Sequence, residues 1–119
     1  MPSPTLFPIS ANTVDGKTAF LPVTTSVTAI VTAAADELCE IKTLLVANTS
    51  GTARTLTADV YRSAAANTVC IVEIPANSMV VVIGRDAPVY LEASDALRLT
   101  ASADSALVAT ASYDLVQPV

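Results

Sequence analysis

The 119-residue chain has no histidine and no tryptophan, only three glycines and two cysteines, and 14% charged residues. Without imidazole, Ser-His-Asp and Cys-His nucleophile arrangements are excluded, and the commonest general base is missing. Two thiols, Cys39 and Cys70, cannot by themselves fill a zinc site. Gly16, Gly51 and Gly84 stand far apart, so no loop can cradle a phosphate. No cofactor and no metal are expected, and the chain is read as a non-enzyme.

The shortage of charge carries a second message. Ordinary soluble domains have roughly 25% charged residues, so a chain with so few is expected to have much of its surface covered by neighbours. The six cations, Lys17, Lys42, Arg54, Arg62, Arg85 and Arg98, are scattered singly and the net charge is -5. Phosphate backbones are bound by clustered cations, so nucleic acid is not an expected partner. Residues 1–9 have three prolines and no basic stretch, so they are not read as a signal peptide. No run approaches the roughly 18 consecutive apolar residues of a membrane span, and a membrane is not an expected partner either.

What the chain does have is alanine, valine, threonine and serine in quantity. Small and β-branched side chains fit a pleated sheet and a thin sandwich core. Nine runs, recurring about every ten residues, read as strands: Thr18–Val23, Ser26–Thr32, Cys39–Asn48, Arg54–Arg62, Thr68–Ile74, Met79–Ile83, Pro88–Glu92, Ala96–Ala101 and Ala106–Leu115. Alternation is clearest around Leu56–Val60, Leu97–Ala101 and Leu107–Tyr113, where period two means one buried face. In Cys39–Asn48 the apolar phase shifts near Leu44 and Leu45, which predicts a β-bulge or a strand covered on both faces. Turn chemistry marks Asn48–Gly51, Ala66–Asn67, Pro75–Ser78, Gly84–Asp86, Ala93–Asp95 and Ala103–Ser105. Ala33–Leu38 could make at most one helical turn.

These signals predict an all-β, antiparallel β-sandwich, jelly-roll or Greek-key-like, over residues 17–119. Residues 1–16, with Pro2, Pro4 and Pro8, read as an extended N-terminal arm ending in a turn. Leu6, Phe7 and Ile9 are the arm's apolar residues and the candidate partner-interface residues. A proline-stiffened arm loses little entropy on docking, on its own domain or, preferably, on a neighbour.

Other readings predict less. Asp59, Glu73, Glu92 and Asp114 could form a carboxylate pair, but are expected to be ordinary surface charges. The acidic turns Asp86, Asp95 and Asp104 lack the spacing of a calcium loop. Tyr61 and Tyr90 could form a sugar-binding platform, with cross-strand packing the simpler use. Cys39 and Cys70 are expected to be buried thiols, with a disulfide between them left open.

The segments Glu40–Gly51, Leu56–Tyr61, Ile74–Ser78 and Val89–Leu97, followed by a terminal alternating strand, resemble small virion structural proteins of tailed bacteriophages. The likeness is one of pattern, over roughly residues 17–115. It implies a capsid decoration, or cement, protein that forms a homo-oligomer, a trimer being the expected form. Its partner would be the major capsid protein or another virion protein, on the capsid surface. A small tail component, or a fibre or carbohydrate-binding head, is the competing reading.

Overall fold

The computed structural model describes residues 12–118; Leu6, Phe7 and Ile9 lie outside them. Nine strands run in chain order: β1 (Asn12–Val23), β2 (Thr28–Thr32), β3 (Leu38–Asn48), β4 (Arg54–Arg62), β5 (Ala65–Ile74), β6 (Ser78–Ile83), β7 (Val89–Leu91), β8 (Ala96–Ala101) and β9 (Leu107–Pro118). They form two antiparallel sheets, β1-β9-β3-β6 with β7 beside β3, and β2-β8-β4-β5.

The pairing is nested. A tight β4–β5 hairpin lies innermost, β3 pairs β6 outside it, then β2 pairs β8, and β1 pairs β9. Folding that long antiparallel ribbon over, so that β9 meets β3 and β8 meets β4, produces two four-stranded sheets. This is the jelly-roll arrangement. β7 is an extra strand in the return from β6 to β8, and it pairs with the first residues of β3.

Alternation explains which side chains meet between the sheets. Leu56 and Ala58 of β4, Leu97, Leu99 and Ala101 of β8, and Leu107, Ala109 and Ala111 of β9 point inward and are buried. They meet Ile41, Leu44 and Val46 of β3 in one core. Each fully buried Leu, Ile or Val contributes about 1.5–3 kcal/mol. Alanines at 58, 101, 109 and 111 keep that core thin.

The phase shift anticipated in β3 is present as two irregularities. One lies between Ile41 and Thr43 against β9, the other between Leu44 and Leu45 against β6. They keep Ile41 and Leu44 both inward although the two are three positions apart. Asn48 closes the end of this strand. Its buried amide donates to the carbonyls of Thr52 at 2.8 Å and Ile74 at 3.0 Å, while its oxygen accepts from the Ser50 amide and hydroxyl.

Several boundaries differ from the sequence reading, most of all the start of β1 and the β4–β5 turn. β1 begins at Asn12 rather than Thr18, because residues 12–16 pair with 114–118 of β9 instead of making a turn. Residues 33–37 make the single turn that the sequence allowed, in which the Glu37 carboxylate accepts from the Ala34 amide at 2.9 Å. The β4–β5 turn falls at Ser63–Ala64, with φ of 53° and 61°, and not at Ala66–Asn67, which pair with Tyr61 and Val60. Positive φ at both central positions suits the twist of a two-residue hairpin. Neither residue type announces it.

Candidate interaction surface

The strands of the first sheet are apolar on both sides where their sequences fail to alternate. Phe20-Leu-Pro-Val23, Leu44-Leu-Val-Ala47 and Met79-Val-Val-Val-Ile83 are continuous runs, so every second residue is directed away from the core. Register then places those outward residues side by side. One row across β1, β9, β3 and β6 is Phe20, Thr110, Leu45 and Val81. The next row is Pro22, Val108, Ala47 and Met79. Phe20 is 71% exposed, Met79 55%, Val81 54% and Val108 38%.

No charged residue falls in either row. Toward the other end of the same face come Thr18, Ser112 and Thr43, and then Gly16, Asp114, Glu40 and Tyr90. There Lys42, carried outward by the bulge in β3, reaches Asp114 at 3.0 Å. The last row is Val14, Val116 and Leu38. The face thus divides into a broad uncharged apolar half, a charged belt and a narrow apolar end. β1, at the sheet's margin, pairs only with β9 among the described residues.

The second sheet's outer face is built differently. Thr55, Thr57 and Thr100 alternate with inward Leu56, Ala58 and Leu99. Asp59 is buried on this side, and Arg98 on the neighbouring strand donates to it through Nε at 2.8 Å and Nη2 at 3.3 Å. The same guanidinium lies over the Tyr61 ring, 4.2 Å from its centroid. The pair holds Arg98 more firmly in its charged form. At the end of the sheet Arg62 forks onto buried Asp95, whose carboxylate also accepts from the Glu92 amide at 2.8 Å. The Arg62 hydrogen bond, first of all, holds the Asp95 carboxyl below the usual carboxylate range.

The other residues singled out from sequence fall in separate places, several of them held by partners within the chain. Asp59 and Asp114 lie in different sheets, each held by a cation; Glu92 lies 3.5 Å from Arg62, and Glu73 is exposed on β5. Asp104 accepts from the Thr25 amide at 2.8 Å, Asp95 is engaged by Arg62, and Asp86 is exposed in the β6–β7 connection. No group of three or more His, Cys, Asp or Glu able to hold a metal occurs among the described residues. Tyr61 packs across strands under Arg98, while Tyr90 is half exposed in the other sheet, so the two do not form one platform. Cys39 and Cys70 are both free thiols; Cys39 is buried and Cys70 half-buried, and burial pushes each thiol up from its ordinary value.

No family model matches the chain, and no curated protein matches its sequence. Three solved structures match the chain, one of them with a TM-score above 0.5. A chain from Bacillus endospore appendages, a family of disulfide-linked pili, is 8% identical with a TM-score of 0.53, over 92% of this chain and 89% of that one. A chain of the T13 particle of infectious bursal disease virus is 16% identical with a TM-score of 0.41. A chain of the Gt strain of that virus is 14% identical with a TM-score of 0.35. Alignment with them covers 99% and 98% of this chain but only 36% and 35% of the viral chains. The fold is therefore an antiparallel β-sandwich of a kind also found in a pilus-forming chain.

Proposed function

We propose that this chain is a non-enzymatic structural subunit of a virion, a capsid decoration protein that self-associates and packs on the major capsid protein or another shell protein. The observation that carries the reading is the uncharged apolar half of the β1-β9-β3-β6 face. Single exposed apolar residues are ordinary, whereas two adjacent rows spanning four strands make a patch of the kind that marks interaction sites. A jelly-roll with such a face can cover a seam between other subunits. The carboxylates engaged by Arg62, Arg98 and Lys42 act as structural ties in this account.

A second reading, a filament or tail component, is favoured by the end-to-end likeness to a pilus-forming chain. Covalent linkage through this chain's own thiols fits poorly with it, because Cys39 is sealed in the core and Cys70 is half-buried with a raised thiol pKa. Cryogenic imaging of the native particle, with the chain carrying a gold-binding tag, separates the two. Decoration places the label at symmetric positions on the outer shell. Label confined to the tail, or to free filaments, contradicts decoration.

A further inference from the structure

We infer that residues 6–9 of one copy dock on the apolar half of the β1-β9-β3-β6 face of a second copy, across Phe20, Leu45, Val81 and Met79. This deepens the reading of the chain as a self-associating subunit and rests on it.

Reach excludes the same chain as the source of the segment. Asn12 is the first residue of β1, and Phe20 lies about 27 Å along that strand at ~3.4 Å per residue. The row of Pro22 and Met79 is farther still, roughly 34 Å away. Leu6 and Phe7 precede Asn12 by so few residues that even a fully extended segment carries them at most about 20 Å from it. A segment folding back over its own sheet must first reverse direction, which shortens that reach. On its own face Leu6 and Phe7 would therefore meet the charged belt of Glu40, Lys42 and Asp114. A second copy imposes no such limit.

Area argues against two bare faces meeting. The exposed apolar patch amounts to on the order of 400 Å², within the range of the largest patch on a monomer. A stable interface buries about 800 Å² from each partner. Face-to-face packing through this patch alone would therefore be undersized. A segment carrying Leu, Phe and Ile roughly matches the patch, and each copy can both give a segment and receive one. Two such exchanges in a dimer, or one per seam in a ring, approach the standard size. Pro4 and Pro8 flank Leu6 and Phe7 and limit the freedom lost on docking.

The test uses the full chain in two forms of different mass, one carrying Phe7→Cys and the other Val81→Cys, mixed and oxidised, with Met79→Cys as a second acceptor. A mixed-copy disulfide is expected with either acceptor and not with Ile71→Cys, which lies on the other sheet. Sedimentation of the same samples should show Phe7→Ser weakening association at least tenfold. Mixed product with Ile71→Cys alone, or a link within one chain carrying both Phe7→Cys and Leu38→Cys, overturns the proposal. No mixed product in samples that still sediment as oligomers overturns the segment-to-face contact and leaves self-association standing. A monomer at every concentration removes both.

Discussion

The two outer faces of the sandwich start from the same strand chemistry and end in opposite states. On the β2-β8-β4-β5 face inward Leu56, Ala58, Leu97 and Leu99 are each followed by a threonine or by a charge with a partner, Arg98 closes over Asp59 and Tyr61, and Ile71 of β5 stands as an exposed large apolar residue. On the β1-β9-β3-β6 face the outward positions of one half are Phe20, Pro22, Leu45, Ala47, Met79, Val81 and Val108. The buried carboxylates at the first face, Asp59 and Asp95, have their cations within the chain. Apolar side chains on the second remain in water at a cost of about 25 cal/mol per Å² until something covers them. If, as proposed, the apolar face serves association while the other serves stability, perturbations should separate along that line.

The largest separation is expected from Arg98→Ala, which leaves the buried Asp59 carboxylate without its partner. Melting followed by circular dichroism should show a drop on the order of 10 °C. Asp59→Ala should cost less, because the longer Arg98 side chain can turn its head to water.

Acid comes next. The Asp95 carboxyl is held low in the folded state, so its contribution is complete above the ordinary carboxylate value of about 3.9 and is lost as pH falls below it toward the folded value. Denaturant midpoints measured from pH 6 down to pH 2 should fall on that limb, and Asp95→Asn should flatten it. Association through the apolar face should persist down to the pH at which the fold itself gives way.

The smallest effect is expected at the β4–β5 turn. Ala64 has φ of 61°, a conformation that disfavours a Cβ. Ala64→Gly should stabilise the chain by about 1 kcal/mol in denaturant titration without altering the oligomer.

The fold was legible where one face is wet. Alternation in Arg54–Arg62 and Ala96–Ala101 gives the strands and their limits, which agree with the structure, but Asp59, read as a surface charge, is buried because Arg98 on the neighbouring strand closes over it. The bulge in β3 was legible because a phase shift has few other causes. The start of β1 was not, since residues 12–16 have turn chemistry and become strand only by pairing with 114–118. Ser63 and Ala64 gave no sign of a turn because the long β4–β5 register, and not their own preferences, puts them there.

The interaction face was half legible. Runs without alternation, such as Met79–Ile83, signal a strand apolar on both sides, but only the register shows that three such strands lie together with β9. Low charge pointed to a covered surface without saying which one. Leu6, Phe7 and Ile9 were the apolar residues that sequence could single out; Phe20, Val81 and Met79 needed the fold.

The central claim is tested most directly by sedimentation velocity of the full chain beside Val81→Lys and Ile71→Lys, two exposed apolar residues on opposite sheets. A charge at either site should leave stability within about 0.5 kcal/mol. The account predicts that Val81→Lys sediments as a monomer while Ile71→Lys keeps the oligomer of the unmodified chain. An oligomer undisturbed by Val81→Lys, or one abolished by Ile71→Lys, would contradict it.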